Sequence, residues 1–181
     1  MSTRTSTSSQ PLVLHYTLRP CALGQVVVAA TPQGIAAVLL GDSPSVLIAD
    51  LQQRYPQAQL ETGGPLLQRW SDTVLEILAH PTLQHVVPLD AIGGTDFQRK
   101  VWKALRGIPA GQTRTYTEVA NAVGQPQAVR AVASACAANP LAVLVPCHRV
   151  LRSDGGWGGY RWGIERKQQL LLQEGAIAKA K

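Results

Sequence analysis

Two apolar runs joined by one turn constrain this chain more than any other feature. Leu23–Ala30 reads LGQVVVAA and Ile35–Leu40 reads IAAVLL, with Thr31-Pro32-Gln33-Gly34 between them. β-branched residues in runs of this length favour strands, and the Pro and Gly are placed for a type I turn. The segment is expected to form a hairpin. Leu12–Leu18 (LVLHYTL) supplies a third strand and Val86–Leu89 a short returning one. Ser43 or Ser45 caps a helix running to about Tyr55, and Leu66, Leu67, Trp70, Val74 and Leu78 place a second helix over Pro65–Leu78. Residues 11–90 are thus expected to form a small antiparallel sheet with helices and to carry no chemistry. His80 and His85, five apart across a Pro, suit a loop better than a metal site.

Residues 91–181 read differently. Thr95-x-x-Gln98 and Thr115-x-x-Glu118 are capping boxes, each opening a helix. The first helix carries Phe97, Val101, Trp102 and Leu105 on one stripe, with Arg99, Lys100, Lys103 and Arg106 on other faces. The second is short, with Val119, Ala120 and Val123 inward and Gly124 placed for a left-handed C-terminal residue. Pro126 is placed in the first turn of a third helix that Asn139-Pro140 stops. The second and third helices suit a helix-turn-helix, although an ordinary helix pair has the same pattern. Ala128, Ala131, Ser134, Ala135, Ala137 and Ala138 make the third helix rich in small residues. Either another helix or a DNA groove could come close to it.

Charge sharpens this division. Residues 91–181 hold thirteen Lys+Arg and five acids, a net +8; residues 1–90 hold four Arg and six acids, a net −2. The basic half faces a polyanion or is simply a solvated basic surface. The 45% hydrophobic content excludes a disordered chain, and no apolar run reaches the ~20 residues that cross a bilayer. Met1–Gln10 is Ser/Thr-rich without an apolar core, so a disordered tail is expected there rather than a secretory signal. Cys21, Cys136 and Cys147 are an odd, sparse set with no CxxC, which points to a reducing, cytoplasmic setting and no metal site.

Leu141–Val145 (LAVLV) is expected to be a buried strand that delivers Pro146-Cys147-His148-Arg149-Val150 at its end. Cys147 is either a nucleophile or a small buried hydrophobe. An imidazole and a positive field from Arg149 and Arg152 would raise its thiolate fraction. Adjacent residues in extended chain point to opposite faces, so a direct Cys147–His148 bond needs a sharp turn or a bridging water. Asp154–Gly163 (DGGWGGYRWG) suits a loop over a pocket, and Arg166–Glu174 a final helix. Cys136 lies on the apolar stripe of the third helix and reads as structural.

The stretch Thr95–Gly175 resembles the O6-alkylguanine-DNA alkyltransferases, or methylated-DNA–protein-cysteine methyltransferases, most of all the C-terminal domain of bacterial Ada proteins. Pro146-Cys147-His148-Arg149-Val150, the upstream Asn139, Ala128-Val129-Arg130-Ala131-Val132 and Gly159-Tyr160-Arg161-Trp162-Gly163 carry the likeness. It extends more weakly over residues 11–94. The resemblance implies an α+β fold of two small domains: a ribonuclease H-like N-terminal domain (11–90) and a mainly helical C-terminal domain (91–181) with a helix-turn-helix.

The resemblance also implies roles. Cys147 accepts the alkyl group from O6-methylguanine, with O4-methylthymine as a further substrate. His148 acts through water as base, and Glu174 orients it. Tyr116 protonates the leaving base, and Asn139 ties the third helix to the cysteine loop. Arg130 enters the stack vacated by a flipped nucleotide, while Ala128, Ala131 and Ala137 allow close approach in the minor groove. Val150, Arg161, Tyr160 and Trp162 line the base pocket. The partner implied is double-stranded DNA carrying alkylated bases, with no cofactor, no membrane and a monomeric protein used once. Ala142, where some relatives carry Pro, and bulky Arg161 and Trp162 on the pocket loop depart from the family pattern. Bulk at Trp162 is expected to disfavour large O6 substituents. The four-cysteine zinc domain of Ada has no counterpart in this sequence, so a methylation-switched activator role is not expected. A binding-only relative without transfer, a sequence-reading regulator and a cysteine hydrolase are the competing readings.

Overall fold

The computed structural model describes residues 10–177. The expected disordered tail therefore lies, apart from Gln10, outside the described residues. The order is β1 (Val13–Cys21), β2 (Gly24–Thr31), β3 (Gly34–Gly41), α1 (Pro44–Arg54), β4 (Gln59–Thr62), α2 (Pro65–Ala79), α3 (Asp96–Arg106), β5 (Arg114–Thr115), α4 (Tyr116–Ala122), α5 (Val129–Ala138), β6 (Val150–Leu151) and α6 (Ile164–Gln173). This is a mixed α+β fold with six α-helices among the described residues.

The expected hairpin is present. β2 and β3 pair antiparallel, with Val28 opposite Val38 and Thr31 opposite Gly34. The four-stranded sheet runs β3-β2-β1-β4. β4 is a strand the sequence did not suggest, and it pairs parallel to β1, so the sheet is not purely antiparallel. Its sequence, Gln59-Leu60-Glu61-Thr62, has too few apolar residues to stand out. β2 and β3 are buried almost throughout. Burial on both faces explains why they read as continuous apolar runs rather than alternation.

Ser43 is the N-cap of α1, as expected, and Pro44 opens the helix, but the Ser43 side chain makes no capping hydrogen bond. Its hydroxyl lies 2.9 Å from that of Ser45 instead. The returning strand at Val86–Leu89 is absent. Leu89 makes a single bridge to Ile35, and Val86 is 98% exposed. Even so, this segment covers the outer edge of β3: Ile35 N–H donates to Pro88 O and Asp90 N–H to Ile35 O. Further along, Val38 N–H donates to Pro140 O and Ala142 N–H to Val38 O. The segment leading to Cys147 is thereby hung on the sheet.

Both capping boxes form with reciprocal bonds, Thr95 with Gln98 and Thr115 with Glu118. Gly124 takes φ 77° after α4. α5 begins at Val129 rather than around Pro126, which lies in the connecting turn; Ala128 is its N-cap. Trp102 donates to Ala135 O at 2.8 Å and fixes α3 against α5.

Candidate active site

The run Leu141–Val145 is buried, as its composition demands, but it is not a strand. Leu141 makes one bridge, and the chain then turns. Leu144 N–H donates to Ala142 O at 2.7 Å around Val143, whose φ is 61°. A β-branched residue in the left-handed region is strained by about 1–3 kcal/mol, so its surroundings must hold it there. Asn139 does much of this. Its Oδ1 accepts from Leu141 N–H at 2.9 Å, and its Nδ2 donates to Val145 O at 2.8 Å.

A second tight turn follows. Cys147 N–H donates to Val145 O at 2.8 Å, and Pro146 takes φ −81° and ψ 63°, an inverse γ-turn. Residues Cys147–Arg149 then form one turn of 3-10 helix. The chain thus turns sharply at Cys147–His148, yet no direct hydrogen bond joins the two side chains. Asn139 Nδ2 also donates to Cys147 Sγ at 3.3 Å. One side chain thus links the end of α5, the turn and the thiol.

His148 Nε2 lies 2.7 Å from Glu174 Oε1, with both side chains 1% exposed. Its Nδ1 is buried with no hydrogen-bond partner. Burial pushes the His148 pKa below its ordinary value, against the opposing pull of Glu174, and favours the neutral ring. Burial also pushes Glu174 up, but hydrogen bonds from His148 and Arg149 outweigh it and bring the carboxyl to about 2. Arg149 grips Glu174 through Nε (3.0 Å) and Nη2 (2.8 Å) while its Nη1 donates to Ile108 O at 2.6 Å.

The positive field at the thiol has a different source from the one expected. Arg149 is committed to Glu174, and Arg152 forms an exposed pair with Asp154 at 2.8 Å. Lys167 is the cation that favours the thiolate. It is fully buried in α6, donates to Val150 O at 2.7 Å and Gly159 O at 3.1 Å, and lies 5.9 Å from the Tyr116 ring centre. Burial holds its pKa at about 8, with Cys147 and Cys136 opposing. Burial raises Cys147 above the ordinary thiol value, and the Asn139 hydrogen bond and Lys167 counter it.

Sequence reasoning missed Lys167 because a Lys on a helix ordinarily marks a solvated face. Its neighbours Leu170 and Leu171 were the available signal, since Lys167 precedes them by one helical turn and shares their buried face.

Tyr116 opens α4 and is 8% exposed. Burial first, then the two cysteines, raise its pKa to about 12, so the phenol stays protonated at neutral pH. A cleft of about 540 Å³ is lined by Tyr116, Val129, Arg130, Ala133, Arg152 and Gly158 among others. On α5, Arg130, Ala131, Ala133, Ser134 and Ala137 form the exposed face, whereas Ala128 is partly covered and Cys136 is buried. Val150 is fully buried, and its carbonyl is the nearer of the two acceptors of the Lys167 ammonium.

Tyr160 packs edge-on to both His148 (6.4 Å) and Trp162 (5.3 Å). The Tyr160 hydroxyl and Trp162 Nε1 are buried without partners. Arg161 and Trp162 line a separate cleft of about 680 Å³ against α1. The Arg161 side chain pairs with Asp50 there, at 3.0 Å. Among the described residues, no group of three or more His, Cys, Asp or Glu could hold a metal ion. No helix there is long and apolar enough to cross a membrane.

Residues 96–176 match the family model "6-O-methylguanine DNA methyltransferase, DNA binding domain". The chain is 50% identical over 163 residues to the bifunctional transcriptional activator/DNA repair enzyme Ada of Escherichia coli, covering 90% of this chain but 46% of that protein. The chain therefore spans about half the length of this relative. A methylated-DNA–protein-cysteine methyltransferase of Debaryomyces hansenii is 34% identical, with 82% of this chain and 84% of that protein covered. Among solved structures, O6-methylguanine methyltransferase of Mycobacterium tuberculosis superimposes with TM-score 0.73 at 34% identity, covering 93% of this chain and 96% of its own. The same enzyme solved in complex with DNA gives TM-score 0.73 at 33% identity, with coverage of 91% and 94%. A relative matched over most of both lengths, at this identity and with this fold, places the chain in the methylated-DNA–protein-cysteine methyltransferase family.

Proposed function

We propose that this protein repairs DNA by moving the alkyl group of O6-methylguanine onto Cys147, once per molecule. One observation carries this reading. Cys147, gripped by Asn139, and His148, paired with the buried Glu174 from the end of α6, sit side by side in a single tight turn.

In the step itself, the Cys147 thiolate attacks the methyl carbon. The carbon–O6 bond breaks, its electrons stay on the guanine, and a thioether forms. His148 Nδ1, buried and unpartnered, receives the thiol proton through a bridging water, and Glu174 stabilises the resulting imidazolium. Tyr116 supplies a proton to the leaving base. Methyl passes directly from oxygen to sulfur, so no cofactor enters. O4-methylthymine presents the same leaving-group chemistry and is a further substrate.

The substrate atom is hidden in a duplex, so the nucleotide must flip into the cleft beside Tyr116. α4 and α5 act as a helix-turn-helix that enters the minor groove. Arg130 fills the vacated stack, and the small exposed residues Ala131 and Ala137, with partly covered Ala128 at the N-cap, allow close approach. The loop that carries Tyr160, Arg161 and Trp162 walls the base pocket through Gly158 and Gly159, while Arg161 and Trp162 themselves face α1 and Val150 is buried behind. Residues 11–90 serve as a ribonuclease H-like structural domain beside a functional domain over 91–181. The protein works as a monomer in the cytoplasm.

Incubation with duplex DNA carrying labelled O6-methylguanine tests the reading. One methyl per chain is expected, lost in Cys147→Ser. No label on the protein, or label released to water over many turnovers, would refute it.

A further inference from the structure

Arg161 belongs to the loop that covers the proposed base pocket, yet its guanidinium faces the other half of the molecule. Nη2 lies 3.0 Å from Asp50 Oδ1 on α1, and Nη1 lies 3.5 Å from Ala137 O at the end of α5. Arg166, at the start of α6, reaches the same side. It donates to Leu23 O at 2.8 Å, pairs with Asp42 at 2.6 Å, and holds Trp162 O at 2.9 Å.

The loop needs such tethers. Gly155, Gly158 and Gly163 all take positive φ, and glycine backbones have the most freedom to lose on ordering. Trp162 continues the loop into Tyr160, which packs against His148. Gly158 and Gly159, which line the cleft beside Tyr116, stand three and two residues before Arg161, so holding Arg161 holds that wall.

We infer that Asp50, on the half without chemistry, is a positioning residue that sets the pocket loop through Arg161. This rests on the alkyl-transfer reading for its functional consequence. Asp50 also lies 3.6 Å from Arg54 Nε, and Arg54 is mostly buried. One carboxylate thus separates two guanidinium groups of like charge. Removing it does more than delete a contact, because Arg54 then repels Arg161 and drives the loop outward. The signature is an order of effects. Asp50→Asn loosens the loop more than Arg161→Gln, which removes tether and repulsion together, and Asp50→Glu retains the loop.

The test uses the full chain and free O6-methylguanine base under single-turnover conditions, with hydrogen exchange of residues 155–163 in parallel. Asp50→Asn should raise the half-saturating base concentration about two- to fivefold, the scale of a partly exposed ion pair, with little change in limiting rate. It should speed exchange in the loop, with Arg161→Gln intermediate and Asp50→Glu near wild type. A fall confined to the limiting rate, or unchanged loop exchange in a folded Asp50→Asn protein, overturns the inference. If the wild-type protein takes up no methyl from DNA, the transfer reading has failed, and loop exchange still decides whether Asp50 holds the loop.

Discussion

His148 Nε2 and Glu174 Oε1 lie 2.7 Å apart across 26 residues of sequence, both sealed from solvent. Arg149 closes the other side of the same carboxylate. Glu174→Gln removes the charge that the Arg149 guanidinium and the His148 ring face, and one-sided loss of a buried pair costs about 3–5 kcal/mol. The folded Glu174 pKa, about 2, lies below the ordinary 4.5. Its stabilisation is therefore present above pH 4.5 and drains as pH falls towards about 2. Urea midpoints across this window should fall with acid in wild type and flatten in Glu174→Gln. Methyl transfer should drop on the order of 100-fold. An equal acid slope in both proteins would show that Glu174 is not the linked group.

Lys167 should support the thiolate only while it is charged. Replacing it with Met removes a buried cation near Cys147 and should raise the apparent Cys147 pKa further. The rate of thiol modification by iodoacetamide reads this directly. Because Lys167 titrates at about 8, the wild-type and Lys167→Met profiles should approach each other above pH 8. Curves that stay parallel through alkaline pH would assign the effect to packing instead.

Gly158 sits against Tyr116 with φ 70°, and a methyl group there would fall 2.5 Å from the phenol oxygen. Gly158→Ala combines a left-handed backbone penalty of about 1 kcal/mol with displacement of the phenol. Transfer from DNA should fall at least as far as in Tyr116→Phe, with the chain still folded by circular dichroism. Transfer at the wild-type rate would mean that Tyr116 needs no fixed position.

Arg130 is exposed on α5, at the lip of the cleft. Arg130→Ala should slow reaction with duplex DNA tenfold or more and leave reaction with free O6-methylguanine within about twofold, since only the duplex must be opened. Rising salt should act likewise on the DNA reaction through phosphate contacts. Equal slowing of both reactions would place Arg130 in the chemistry rather than in DNA handling.

Local signals were the legible ones. The two capping boxes, the hairpin and the stop at Asn139 depend on neighbours within four residues, and all are present. β4, β5 and β6 escaped because strands of two to four residues have no measurable period. Leu141–Val145 was misjudged because apolarity reports burial and not conformation. The site was legible in part through its resemblance to a family. The contacts that tune it, Arg149 to Glu174 and Lys167 to Val150, join residues 25 and 17 apart, a distance over which no local pattern speaks.

The outer edge of β3 is closed by two separate stretches, Pro88–Asp90 and Pro140–Ala142. A bare strand of the sequence Gly34-Ile-Ala-Ala-Val-Leu-Leu-Gly41 is an aggregation template, with no charge and no proline to deter pairing. Solubility of the sheet thus depends on the chain that carries the cysteine. Cutting the molecule near residue 90 should give an N-terminal fragment that precipitates rather than one that stays dissolved.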